Sequence, residues 1–383
     1  MQTNQANISV SLSDLDLPFA ASSIMNYHDA EVVQVGDRIV VGYLSDDSDT
    51  ANPLEDWDGQ GRIFSAHRHS NTHGEMQNAL AFDSHWSPDL DLVLDHKDRL
   101  RQAWIEKAYC NIPFLVWADE TAGARASKTD AYYKRRAKKL WDDTDGEYNY
   151  REKSVQDFEC YEDAQMQVWE ELRSEGLIGD KDAVVLDCYD HGGQSWSVSG
   201  EGMQCRWDTA SGGGVWVPDD SAREEIDRRA KVYAFGHIIT NGSWTRASGK
   251  LRYIAKLDKD YGEVESEEFE QWGEAFAWLE ARSKKLRMSR RQASRAAQDR
   301  LGRGRAAREI ARSVLETYND WLAGNCYGIV AATFSNTASK GEEPEWEFVE
   351  SDECWGFIGD DYAMEEASSN AKAVAGHMQK QAA

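Results

Sequence analysis

Three histidines fall within seven positions of the stretch FSAHRHSNTHGE: His67, His69 and His73, with Glu75 two residues further on. Imidazole and carboxylate groups are the usual ligands of zinc and iron, so a metal centre is one reading. On a strand His67 and His69 would share a face, and on a helix His69 and His73 would. No single regular element presents all three, although a strand running into a turn could gather them with Glu75 or Asp83. The spacing is not the HExxH of zinc peptidases. The competing reading is a polar loop.

A second candidate is YDHGGQSW, where Asp190 and His191 follow the apolar run AVVLDC. An Asp–His pair at a strand end can move protons, and with His67 it would suit a metal-dependent hydrolase. Adjacent strand residues point to opposite faces, so the alternative is a strand-ending turn whose side chains bond the backbone. SGGGVWVPDD could cradle an anion on backbone N–H groups. It lacks the Lys-Ser/Thr of a P-loop and does not run directly into a helix. The chain carries no dinucleotide fingerprint, GxSxG elbow or kinase signature. No catalytic residue is assigned and no cofactor is expected.

Charge is the most unusual global property. The net charge is −25 over 383 residues. Residues 1–61 carry eleven carboxylates against the single base Arg38, and residues 342–366 carry eleven with no base. Such a chain repels nucleic acid and anionic membranes on average. At one charge per ~1.7 Å of duplex DNA, its net charge matches about 40 Å of duplex, comparable with the ~50 Å breadth of a compact chain this long. The balance therefore fits a DNA mimic that offers carboxylates to a basic groove; plain solubility is the alternative. The candidate partner-binding acids are Asp46, Asp47, Asp49, Glu55, Asp56, Asp58, Glu342, Glu343, Glu345, Glu347, Asp360 and Asp361.

One stretch has the opposite sign. Residues 284–312 carry eleven Lys or Arg against Asp299 and Glu309. Arg290, Arg291, Arg295, Arg303 and Arg305 could contact nucleic acid, dock on the protein's own acidic surface, or be solvated. Gly302 and Gly304 make the stretch a mediocre helix near its middle.

These residues need elements to hold them. EVVQVGDRIVVGYLS reads as a β-hairpin turning at Val35-Gly36-Asp37. RIFSAH, PFLVWA, AVVLDCYD, SWSVS, GGVWVP, GKLRYIAKL, GNCYGIVAATF, EWEFVES and CWGFIG read as strands or strand pieces. Helices are expected over 98–108, 121–142 and 155–176, in DDSAREEIDRRAKVYAFG, over about 263–322, and in the C-terminal YAMEEASSNAKAVAGHMQK. Strand runs separated by helix runs predict an α+β fold with a mainly antiparallel core, a C-terminal helix and helical insertions. The six cysteines form no CxxC pair, which fits a reduced, cytoplasmic protein. The sequence predicts neither a leader peptide nor a membrane span.

Several pieces carry a resemblance when taken in order: NPLEDWDGQGRIFSAHR, YDHGGQSWS, CRWDTASGGGVWVP, VLETYNDWLAGNCYGIV and DECWGFIGDD. They resemble an uncharacterised family of bacteriophages and integrating mobile elements, whose pieces run NPxEWDNxG…H, YDHSG, WDSGxVG, YDxxLxGxxYG and SCWGFxG. The match covers roughly 28–75, 182–235 and 313–370. Its shared positions are Trp57, Asp58, His67, Asp190, His191, Trp207, Asp208, Tyr327, Gly328, Cys354, Trp355 and Gly356. His69 and His73 are not among them, which weakens a family-wide metal site. The helical stretches would be insertions, giving a β-rich part over 1–97, a helical insertion over 98–180, a β-rich core with one helix over 181–256, a charged helical arm over 257–322 and a β-β-α end over 323–383. The family carries no established activity. Its setting implies a protein of the bacterial host's cytoplasm that binds a host protein with a basic groove, as an anti-restriction or anti-CRISPR inhibitor does.

Overall fold

The computed structural model describes residues 10–68, 70–110, 130–144, 155–240, 252–258, 264–289, 292–339 and 343–381. The fold is α+β, with antiparallel sheets and a C-terminal helix. The strands form three sheets rather than one core.

The first sheet has the order β1 (Glu31–Val35), β2 (Arg38–Asp46), β10 (Cys326–Asn336), β11 (Trp346–Ile358). Its first hairpin turns at Gly36, whose φ of +65° is the left-handed conformation a tight turn needs. β2 is buried along almost its whole length because both faces are covered. On one face lies α9 (Asp360–Gln381), which buries Ala363, Ala367, Ala371 and Ala375. This four-residue repeat of small side chains lets the helix come close to the sheet. A Cβ at Gly42 would lie 2.7 Å from the Ala367 carbonyl oxygen. The N-terminal segment covers the other face with Leu15 and Met25, and the Tyr43 hydroxyl donates to the Phe19 carbonyl at 3.0 Å.

The second sheet has the order β3 (Arg62–Ser65), β6 (Thr209–Val217), β4 (Val184–Asp190), β5 (Gln194–Val198). The buried carboxylate of Asp187 accepts from the N–H groups of Gly200 and Gly212, each at 2.8 Å, where the β4–β6 register shifts. The third sheet is a meander of β7 (Gly236–Thr240), β8 (Tyr253–Asp258) and β9 (Val264–Phe269).

Three helices pack on these last two sheets: α6 (Asp220–Tyr233), α7 (Trp272–Ser289) and α8 (Gln292–Ala323). The largest core lies among them, with Trp216, Ile226, Phe235, Leu279 and Leu315 inside it. A separate core joins α3 (Lys97–Cys110), α4 (Asp130–Thr144) and α5 (Val155–Glu175) through Leu100, Trp104, Trp141, Val168 and Leu172. No helix among the described residues is long and apolar enough to cross a membrane.

Two local expectations change and a third is sharpened. Val264–Phe269, read as the start of a long helix, is the strand β9. Its carboxylates suit an exposed edge, and Glu265 pairs with Arg282 of α7 at 3.0 Å. EWEFVES and CWGFIG are one strand, β11, interrupted by two register shifts against β10. His73 does not sit in a turn but begins α2 (His73–Leu80). The segment PFLVWA lies outside the described residues, as do His69, Arg290, Arg291 and Glu342; of Arg295 only the backbone is described.

Candidate functional site

β3 runs into a turn in which the Ser70 N–H donates to the His67 carbonyl at 2.8 Å. Hydroxyls brace this turn: Ser65 N–H donates to Thr72 Oγ1 at 2.9 Å, and the Ser70 and Thr72 hydroxyls lie 2.7 Å apart. His67 is thereby aimed at the end of β4, where its Nε2 lies 3.2 Å from Asp190 Oδ2. Gln194, the first residue of β5, places its amide nitrogen 3.4 Å from both ring nitrogens. The pair can hold and relay a proton.

His67 and Gln194 line a cavity of about 270 Å³, with Arg62, Trp196, Tyr318 and Leu54 among its other walls. Leu54 belongs to the short helix α1 (Pro53–Asp56), whose N-terminus is capped by Asn52. The Arg62 guanidinium donates to the carbonyls of Leu54, Gly61 (3.0 Å) and Glu55 (3.3 Å). Burial pushes the Tyr318 phenol above its usual pKa, and the charges of Glu55 and Cys188 add to this.

The remaining histidines diverge from this pair. His73 Nε2 meets the backbone carbonyl of His67 at 3.3 Å, and its ring stands edge-on to Trp86. His191 turns outward, 71% exposed, with Nδ1 3.4 Å from Asp208. The structure thus joins His67 to Asp190 but leaves His191 apart, because neighbouring residues at a strand end face opposite ways. No group of three or more His, Cys, Asp or Glu able to hold a metal occurs among the described residues.

The other shared motif residues hold the scaffold or face solvent. Asp219 accepts from Gly59 and Gly61 N–H, both at 2.9 Å, and caps α6, so it fixes the loop carrying Trp57 and Asp58. Trp207 is 86% exposed, with the Arg206 guanidinium over its ring. Trp355 lies across Gly328, where any Cβ would strike its ring, and packs edge-on to Phe19. Gly356 N–H donates to Asp47 at 3.1 Å, beside the exposed Cys354.

The two acidic sequence clusters meet at one end of the first sheet. Asp46 ends β2 opposite Tyr327, whose hydroxyl donates to Asp360 at 2.8 Å. Asp361 is exposed beside it, and Asp49 continues the β2 side. Asp320, which sequence reasoning did not select, sits among them. Burial raises its pKa, and the charges of Asp360 and Asp361 raise it further against the hydrogen bond from Asn325. Asp47 is taken up by Thr50 and the N–H groups of Asp49 and Gly356. Glu55, Asp56 and Asp58 are exposed on and just after α1. Glu343, Glu345 and Glu347 lie toward the far end, and the exposed Glu350, Asp352 and Glu353 join them along β11, the edge strand.

Part of the basic stretch is turned onto the protein itself, while Lys284, Lys285, Arg300 and Arg308 are exposed. Arg303 binds the fully buried Asp182 and also Asp227. Arg305 reaches Asp258 at 2.7 Å and the carbonyls of Tyr233 and Gly236 at 3.2 Å. Arg287 pairs with Asp299, and Arg312 with Glu201. The segment 257–322 therefore includes a strand and two packed helices, and Ala306, Ala307, Ile310, Ala311 and Val314 of α8 sit in the largest core.

No protein-family model, curated protein or solved structure matches the chain.

Proposed function

We propose that this protein acts by binding a partner protein that presents a basic groove, and that its acidic edge takes the place of a DNA strand there. The observation that carries the reading is the exposed edge strand β11, with Glu347, Glu350, Asp352 and Glu353 along it and no base between residues 342 and 366. At ~3.3 Å per residue these four carboxylates span about 20 Å, roughly two thirds of the charge one DNA strand carries over that length. The acids around Asp46 and Asp361 extend the same sheet's charge. The resemblance to phage and mobile-element proteins makes a DNA-cutting enzyme of bacterial defence the partner class.

The test is competition. Purified restriction and CRISPR nucleases are bound to labelled duplex, and this protein is titrated in at several salt concentrations. Displacement that weakens steeply with salt, and that is lost in a variant carrying Glu347→Gln, Glu350→Gln, Asp352→Asn and Glu353→Gln, is the expected result. Displacement insensitive to salt sinks the mimic reading.

The alternative of nucleic-acid binding by the basic stretch has less to draw on. Arg303, Arg305 and Arg312 already hold carboxylates within the chain. A gel shift at low salt without retention of DNA or RNA ends that reading.

A further inference from the structure

The cavity beside His67 is not used by the acidic edge. We infer that it is a binding site for an uncharged, polyhydroxylated ring, either a free monosaccharide or the ribose of a nucleoside.

Charge narrows the ligand first. Glu55 lines the cavity and Asp190 stands beside its His67, while the Arg62 guanidinium in the lining is already directed at three backbone carbonyls. An anion would meet carboxylates without a free cationic fork to offset them. A cation would meet Arg62. A neutral ligand avoids both costs.

Hydrogen-bonding capacity narrows it further. The exposed Glu55 carboxylate lines the cavity, and its Oε1 accepts from the Asn52 amide at 3.2 Å. The carboxylate can also accept from a ligand hydroxyl. The Gln194 amide both donates and accepts. Asn52, Ser65 and Ser70 add amide and hydroxyl groups to the lining. Hydroxyls supply both donor and acceptor from one atom, matching this mixed lining.

Shape completes the argument. Trp196 and Tyr318 offer aromatic surface and Leu54 aliphatic surface, which suit the C–H faces of a sugar ring. The volume of about 270 Å³ lies just below the range of drug-sized pockets, which favours a single ring over a chain of them.

Ligand-observed saturation-transfer NMR on the full chain tests this with D-glucose, D-ribose, adenosine, 2′-deoxyadenosine and inorganic phosphate. Transfer to the free sugars supports a monosaccharide site. Transfer to adenosine but to neither free sugar nor 2′-deoxyadenosine supports a ribonucleoside site. Glu55→Gln and Gln194→Ala should each weaken binding about tenfold, the equivalent of one good hydrogen bond. Thermal melts of each variant separate lost binding from lost folding. The inference is overturned if no ring compound shows transfer at millimolar concentration, if phosphate alone does, or if binding is unchanged in both Glu55→Gln and Gln194→Ala.

Discussion

Arg303 donates two hydrogen bonds to Asp182, one of them 2.7 Å long, across 121 residues of sequence. Asp182 has no exposed side-chain surface, and Arg223 is its other cation, at 3.2 Å. Removing one member of such a pair leaves a buried charge undercompensated. Arg303→Ala is therefore expected to destabilise the fold by about 3 kcal/mol, near the lower end for broken buried pairs because Arg223 remains. Urea unfolding measures this. A shift well below 1 kcal/mol would show that solvent reaches Asp182 after all.

Asn319 of α8 grips the edge of the second sheet. Its Oδ1 accepts from the Trp196 N–H and its Nδ2 donates to the Trp196 carbonyl, both at 2.8 Å. β5 is an edge strand, so the amide supplies the partners a further strand would have given. Asn319→Ala should cost about 1–3 kcal/mol by leaving both groups unpaired. Hydrogen exchange at Trp196 should speed up more than exchange within β2. Unchanged protection at Trp196 would contradict the role.

Acid should weaken the fold through Asp187 and Asp219. Burial raises both carboxyl pKa values, but hydrogen bonds outweigh it: backbone N–H groups in each case, with Gln204 and Ser199 adding to Asp187. Both end below the ordinary carboxylate value. A folded-state pKa below the unfolded one means stabilisation that is full above the unfolded value near 4 and lost as pH falls through the folded value. Denaturant midpoints should hold from pH 7 to about 5 and fall below about 4. Asp187→Asn should lower the midpoint at pH 7 and flatten the fall. A mutant with the wild-type slope would locate the acid sensitivity elsewhere.

Much of the fold is legible because it is local. The β1–β2 hairpin is written in β-branched residues around Gly36, and the C-terminal helix in its alanine repeat. β11 is harder: two register shifts break its alternation, so one strand reads as separate strand pieces. β9 carries acids at positions a helix also tolerates, and only its pairing with β8 decides the matter. The site was less legible than the fold. His67 and Asp190 were both selectable by residue type, yet 123 residues separate them and nothing in either segment points to the other. His191 is an equal candidate by residue type, and it faces away. Arg62, Trp196 and Tyr318 carry no chemical signature in sequence and become neighbours only when β3, β5 and α8 converge. The same holds for the basic stretch, whose partners Asp182, Asp258 and Glu201 lie far upstream.

Gly302 and Gly304 weaken α8 equally on helix propensity, and the fold gives them opposite roles. A Cβ at Gly302 would lie 2.1 Å from the Ala230 carbonyl oxygen and 2.4 Å from the Ala234 nitrogen, both backbone atoms of the α6 end. A Cβ at Gly304 would meet nothing within 4 Å. Gly302→Ala must push the two helices apart at a core contact and should cost at least ~1–3 kcal/mol, as overpacking does. Gly304→Ala relieves the entropic penalty of a helical glycine and should stabilise by about 0.5–1 kcal/mol. Thermal melts of the two single mutants should therefore move in opposite directions from wild type. A shift of the same sign in both would mean that α8 does not seat on α6 through Gly302.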